Sequence, residues 1–512
     1  MRPIFNVVVL SLLLGLCANA QNSVKISRTS SANELPFEPA LKPFYHGVAS
    51  GDPLEDRLII WTRVTPEDEN DIPVKWYVAK DTGMTDMVVW GDTVAKASSD
   101  FTVKVDVNGL QPGHTYYYQF EALNKTSIIG RGKTTPSGNT SDSTLKFAVV
   151  SCANYEGGVF NAFERISERN DLDAVIHLGD YIYEYEPGKY KNASLKEANR
   201  VNIPNNEIIS LADYRTRYSL YRLDHDLMKA HQQQTFITIW DDHESANDSY
   251  FDGAENHTEG TEGSWFERKA IAKKVYYEWM PIRDTTENTK LYRKISYGTL
   301  ADLFMLDTRL EGREKPPVHF DTPDNGRKII SQTQYDWLIN NLKNSTAQWK
   351  VIGNQLLFST FNVGFGAPSQ AITNIDSIRT VEDNFIDNWE SYPLQRNSII
   401  DTLRDFNIKN VVFVSGDSHC SWAFDVTKNA RLYPLAQAFN IPQKNPYHPV
   451  LNRDGYNDTT GAGSWAVEFG TPSIASQNFD ELGFSAAEIA QFEFTINNYV
   501  DFPFVGLVNY PT

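Results

Sequence analysis

Four short segments, far apart in the chain, carry side chains able to bind metal ions: Ser151-Cys152-Ala153-Asn154, Gly179-Asp180-Tyr181-Ile182-Tyr183, Trp240-Asp241-Asp242-His243-Glu244 and Ser415-Gly416-Asp417-Ser418-His419. Thiolate and phenolate suit a ferric ion, whereas carboxylate and amide oxygens suit calcium or magnesium. Asp180 is the best candidate for a carboxylate bridging two cations, and Tyr183, three residues on, can return to the same ion if the chain turns. Two adjacent acids and a histidine after an apolar run repel one another unless a cation is present. Asp242 therefore reads as a ligand of a second ion, with His243 placed to touch a phosphoryl group or pass a proton to a leaving oxygen. Asp417 and His419 lie two apart, on one side of an extended segment, and can serve one ion each. Asn354, in Gly353-Asn354-Gln355, either adds an amide oxygen to a hard-metal site or is a turn residue. Arg309, in Asp307-Thr308-Arg309, either clamps a phosphate oxygen with its planar fork or pairs with a local acid. Together these groups fit phosphoryl chemistry at a two-metal centre.

Such a centre needs elements that bring four distant segments together. Each segment follows a β-branched or apolar run: FAVV, DAVIHL, TFITI and VVFV. Strand ends converging on one edge of a sheet are where open α/β folds place their sites. From Leu145 onward, strand runs alternate with helical patterns at 159–169, 211–220, 267–279, 331–342 and 399–406, which reads as α/β. Residues 41–135 differ: Leu58-Ile59-Ile60-Trp61-Thr62, Val74-Lys75-Trp76-Tyr77-Val78, Thr102 to Val107 and Thr115 to Phe120 alternate like short strands, with a turn at Leu110-Gln111-Pro112-Gly113. This texture predicts a small β-sandwich of immunoglobulin or fibronectin type III character. A polar linker over 134–143 separates it from a larger domain spanning 145–512, and 246–264 reads as a surface loop that shapes access.

The start of the chain resembles an export signal over residues 1–20: Met1-Arg2, an apolar run from Val7 to Leu16, and Ala18-Asn19-Ala20 before Gln21. The run is too short to span a bilayer. Without paired arginines the route is Sec rather than Tat, and Leu16 before Cys17 argues against lipidation. The expected location is secreted or periplasmic. A formal net charge of −18 argues against nucleic acid as a bulk partner, though not against a small phosphate ester held by metals. Of the three cysteines, Cys152 and Cys420 lie beyond the signal; Cys152 is a metal thiolate, or the two form a disulfide or remain buried thiols. His46, His114, His225, His231, His257, His319 and His448 show no ligand spacing and read as packing or surface residues.

With these segments in hand, the chain resembles the PhoD family of alkaline phosphatases and phosphodiesterases, from about Phe44 to about Ser476. The resemblance rests on GVASGDP and IIWTRVTP in the first part, and on SCANYEGGVFNAF, HLGDYIYEY, WDDHE, FMLDTR, GNQ, SGDSH and EFGTPSIAS in the second. It implies an Ig-like domain preceding a calcineurin-like metallophosphatase domain, a four-layer α/β/β/α sandwich. It also implies one Fe(3+) with Ca(2+): iron on Cys152, Asp180, Tyr183 and His419, with Asp180 bridging to calcium on Asp242, Asn354 and Asp417. His243 takes the place of the phosphate-contacting histidine in the superfamily motif. Relatives often use the Tat route and continue with a closing segment, whereas here Asn497-Asn498-Tyr499 and Phe504-Val505-Gly506-Leu507 lie close to the last residue.

The expected activity is hydrolysis of phosphomonoesters, phosphodiesters or both, by a hydroxide held on the metals attacking phosphorus in line. No serine sits in a nucleophile context, so no covalent phosphoenzyme is expected. Two alternatives differ in substrate or class: a diesterase or phospholipase D-like enzyme acting on lipid or cell-wall polymers, and an inactive exported surface-binding protein. The second would have lost a ligand, and Cys152, Asp180, Asp242 and His419 are all present.

Overall fold

The computed structural model describes residues 35–138, 144–192, 200–284, 290–319, 322–360, 386–428 and 463–477, with residues 383 and 487 alone. The expected signal segment, residues 139–143 of the linker and the closing C-terminal segment lie outside these residues.

Among the described residues, three sheets carry the fold. Sheet 1 has the order β5-β2-β1-β11-β10-β9, formed by β1 (Val48–Gly51), β2 (Arg57–Arg63), β5 (Thr102–Asn108), β9 (Phe147–Val150), β10 (Ala174–His177) and β11 (Thr235–Thr238). Sheet 2 has the order β12-β13-β14-β15-β17-β16, from β12 (Arg293–Tyr297), β13 (Ala301–Met305), β14 (Trp349–Asn354), β15 (Val411–Ser415), β16 (Trp422–Val426) and β17 (Ala466–Gly470). Sheet 3 joins β4 (Met87–Ala95), β3 (Ile72–Ala79), β6 (Thr115–Ala122) and β7 (Lys125–Thr126), with β8 (Gly130–Lys133) also on β6.

The central strands are parallel: β9, β10 and β11 in sheet 1, and β13, β14, β15 and β17 in sheet 2. Their continuous apolar composition follows from burial on both faces, and β10 and β11 are buried at every residue. Alternation along β13 defines the layers: Leu303 and Met305 join the core shared with sheet 1, while Phe304 joins a second core. The first core also takes side chains from α1 (Asn161–Ser167), α2 (Leu211–Arg222), α3 (His225–Gln233) and α4 (Trp265–Trp279). The second takes Leu338 and Leu342 of α5 (Gln332–Asn344) and Ile399, Ile400 and Leu403 of α6 (Pro393–Asp405). Helices, sheet 1, sheet 2 and helices are thus stacked in the α/β/β/α order.

Local signals set several helix starts. Ser210 and Asp213 form a reciprocal capping box on α2, Asp224 caps α3, and Ser331 caps α5. α3 has no counterpart among the sequence expectations, being short and largely polar. α6 starts six residues before its expected position, with Pro393 in the first turn.

The strand-rich first part is all-β, but one of its two faces is not a separate sheet. β1 pairs in parallel with β11, so sheet 1 continues across the expected boundary into the larger domain. Along β2, Leu58 and Ile60 point into the core shared with sheet 3, and Trp61 points into the core of the larger part. The Trp61 indole donates to the Glu278 carbonyl at 2.8 Å. The period-2 pattern of β2 carries no label for which neighbour each face meets, so the shared sheet is not legible from it.

Candidate metal centre

The residues singled out by type and spacing lie just beyond the C-terminal ends of the parallel strands. β9 runs into Cys152, β10 into Asp180, β11 into Asp241-Asp242-His243, and β15 into Asp417 and His419. Cys152, Asp180, Asp417 and His419 all have φ between 55° and 61°, in the left-handed region. That conformation costs a non-glycine residue on the order of 1–3 kcal/mol, and such strain concentrates at functional sites. Gly179 has φ 109°, and a Cβ there would lie 2.4 Å from the Asp241 backbone nitrogen. Its role is to let the β10 and β11 loops touch.

Two further carboxylates hold these loops, and the sequence reading assigned neither a role. Glu244 is fully buried and accepts from the backbone N–H of Asp180 at 3.0 Å, Asp241 at 2.8 Å and Tyr181 at 2.7 Å. Glu184 accepts from His243 Nδ1 at 2.7 Å, the Asn247 N–H at 2.8 Å and Asn256 Nδ2 at 2.8 Å. With Nδ1 donating to Glu184, His243 is left with Nε2 for other partners, and the residue lines the cavity. Glu244 was visible as the fourth position of Asp-Asp-His-Glu, but nothing local showed that it would accept three backbone protons.

Among the described residues, donor atoms converge in four groups, each with its atoms within 4.8 Å of one another. Cys152, Asp180 and His419 form one, Asp180, Asp242 and His243 a second, Asp241, Asp242 and Asp417 a third, and Asp242, Asp248 and Asp387 a fourth. Tyr183 joins the first: its hydroxyl is 3.2 Å from Asp180 Oδ2, 3.5 Å from His419 Nε2 and 2.5 Å from Ser476 Oγ. His419 Nδ1 donates to the Gln477 carbonyl at 2.9 Å, which directs Nε2 toward Tyr183 and Cys152. Asp180 occurs in both the first and second groups, and its buried Oδ1 has no hydrogen-bond partner among the described residues. A donor set of this composition fits metal ions: one soft-to-ferric pocket adjoining an oxygen-rich one.

The electrostatics agree with that fit. Burial pushes the Asp180 and Asp417 carboxyls well above the usual range, and their acidic neighbours add to the effect. Burial, reinforced by Asp180, also raises the Cys152 thiol. Cations would relieve these penalties by replacing protons. Burial alone would lower His243, but Asp242, Glu184 and Asp180 outweigh it and hold its pKa well above the ordinary histidine value. Burial brings His419 down to about 4, so this ring is a neutral donor.

Two expected residues are placed differently. Arg309 is completely buried and ion-paired. Its guanidinium meets Asp241, Asp387 at 2.5 Å, Asp417 at 3.1 Å and Asp242 at 3.6 Å, so it supplies countercharge to the acids around the site. Asn354 is fully buried, with Oδ1 accepting from the Trp389 indole at 3.0 Å and Nδ2 donating to the Leu356 carbonyl, and it does not line the cavity. Cys152 and Cys420 are both buried, and no disulfide joins them.

The donor groups open into a cavity of about 320 Å³. Its wall includes Asp180, Asp242, His243, Asp417 and His419, with Tyr185, Lys189 and Tyr190 from one loop and Asn247, Asp248, Glu255 and Asn256 from the loop expected to shape access. Among the described residues, no helix is long and apolar enough to cross a membrane.

Comparison with known proteins gives a consistent picture. The PhoD-like phosphatase family matches residues 147–505, and the PhoD-like phosphatase N-terminal domain matches 29–136. Alkaline phosphatase D of Bacillus subtilis (strain 168) is 36% identical over 432 residues, covering 80% of this chain and 70% of that protein. A solved structure described as "Structure of PhoD" superposes with a TM-score of 0.72 at 30% identity, covering 94% of this chain and 84% of that one.

Proposed function

The chain belongs to the PhoD-like phosphatase family and is a metal-dependent phosphatase, and on that premise we propose an exported phosphoric ester hydrolase using one Fe(3+) and Ca(2+). The observation that carries the reading is Asp180, a buried carboxylate shared by two donor groups of different chemical character. Cys152, Tyr183 and His419 with Asp180 would hold iron, and Asp242 and Asp417 with Asp180 would hold calcium. When bound, the cations supply Lewis-acid stabilisation of the phosphoryl oxygens and acidify water. Export rests on the Sec-type signal read over residues 1–20.

The chain's own residues complete the chemistry. His243 lines the cavity and pairs with the Glu184 carboxylate, so in its protonated form it can donate from Nε2 to a phosphoryl oxygen or to the leaving alkoxide. Glu184 fixes its ring and tautomer through the 2.7 Å contact to Nδ1. Arg309 lowers the cost of gathering Asp241, Asp242, Asp387 and Asp417 in one place. Glu244 holds the β10 and β11 loops at a constant separation.

The substrates are phosphomonoesters, phosphodiesters or both. The test is hydrolysis of chromogenic mono- and diesters by wild type and Asp180→Asn, together with elemental analysis. The substitution is expected to abolish turnover and reduce bound metal. Full activity with unchanged metal content would remove Asp180 from the bridging role.

A further inference from the structure

We propose that Lys189 is a specificity-determining residue that favours phosphate esters carrying a second anionic group on the alcohol portion. The inference rests on the hydrolase reading of the same cavity. Among the described residues Lys189 is the only lysine or arginine in the cavity wall, which otherwise carries Asp180, Asp242, Asp248, Glu255 and Asp417. Asp180, Asp242 and Asp417, which the proposed ions would contact, would be neutralised by cations. The remaining charged groups of the wall then divide the opening: Lys189 comes from one loop, Asp248 and Glu255 from another.

The lysine is exposed, yet its backbone is firmly placed. The buried Glu156 carboxylate accepts from the Gly188 N–H at 2.8 Å and the Asn202 N–H at 3.0 Å, and its carbonyl accepts from the Asn192 N–H at 3.2 Å. Asn154, two residues past Cys152, donates to the Tyr190 carbonyl at 2.8 Å, and Gln477, two residues past Ala475, donates to the Lys191 carbonyl at 3.0 Å. Tyr190 packs on Tyr183 and Tyr185, each with ring centroids 5.7 Å away. The turn bearing Lys189 is therefore anchored to the same segments that present Cys152 and Tyr183. Among the described residues Lys189 makes no ion pair, and it lines the cavity.

An ester already held by its reacting phosphoryl group has a leaving portion that must extend through this mouth. A carboxylate or second phosphate there is attracted by Lys189 and repelled by Glu255, which orients it; a neutral group receives no such selection. The contact is solvent-exposed and screened, so the effect is one of discrimination rather than of raw rate.

The experiment compares kcat/KM of the metal-loaded full chain for 4-nitrophenyl phosphate and 3-carboxy-4-nitrophenyl phosphate at low ionic strength. Taking each variant relative to wild type cancels the different leaving-group reactivities. The anionic-to-neutral ratio should fall about threefold to fivefold in Lys189→Ala, fall further in Lys189→Glu, be retained in Lys189→Arg, and lose its sensitivity to the alanine change at high salt. A ratio unmoved by Lys189→Ala and Lys189→Glu overturns the specificity role, including the case in which both substrates slow equally because the lysine meets the reacting phosphoryl group. Turnover of a chromogenic diester alone, with neither monoester cleaved, overturns this role and leaves the hydrolase reading standing; absence of turnover of the diester and both monoesters by wild type overturns the two together.

Discussion

At the scale of single residues, the site depends on carboxylates that touch no substrate. Glu184 directs its two oxygens at His243, Asn247 and Asn256, leaving the imidazole one orientation. We predict that Glu184→Gln lowers kcat about 10–100-fold while metal content stays near wild type, because the amide can still bond to Nδ1 but no longer stabilises the charged ring. Steady-state kinetics with metal analysis checks this; metal loss in proportion to rate would instead make Glu184 a support of the donor groups. Arg309 shows how a motif can find a residue without giving its partners. Its planar fork suits phosphate, but four acids surround it and leave it buried.

Elements decide whether the donor groups meet at all. β9, β10 and β11 lie side by side in register, with His177 beside both Val150 and Thr238, so the loops that follow start level. Contact between the second and third loops requires Gly179, whose missing Cβ leaves room for the Asp241 backbone. Gly179→Ala should force these loops apart and also strain a φ of 109°, at a cost on the order of 1–3 kcal/mol. The expected result is a folded protein with less bound metal and a matching fall in turnover, read by circular dichroism and elemental analysis. Wild-type metal stoichiometry in the variant would show that the close approach is not needed.

For the whole molecule, the site is a concentrated negative charge inside an already acidic chain, and its cost depends on pH when metals are removed. Burial lifts Asp241 to about 6, with Arg309 opposing and Asp242 adding to the rise, and burial lifts Glu244 to about 8 despite the three N–H donors. The ordinary values are 3.8 and 4.5. Between each pair of values the folded chain holds a proton that the unfolded chain has released. This contribution to stability is complete below the unfolded values and is lost as pH rises through about 6 and then about 8. The chelated protein should therefore melt at a lower temperature at pH 8 than at pH 6, and restored cations should narrow the difference because they substitute for protons. Calorimetry at both pH values, with and without metal, decides the matter; a gap that widens on adding metal would count against this account. The shared sheet 1 ties the first part of the chain into the same core through β1 and Trp61, so the two parts should respond together in these melts.

Read alone, the sequence determined the α/β class, the strand ends that carry chemistry, and most of the donor types. Each of these is written locally: apolar runs predict buried strands, and a cluster such as Asp241-Asp242-His243 is costly without a cation. Tertiary structure decided what each donor faces. Arg309 and Asp241 lie 68 positions apart, and Asn354 and Trp389 lie 35 apart, so their pairing depends on which strand ends adjoin. The same holds for the three backbone protons accepted by Glu244, for the separation of Cys152 from a disulfide, and for β1 extending sheet 1. Residue type sets which interactions a side chain can make, but only the packing of distant segments selects among them.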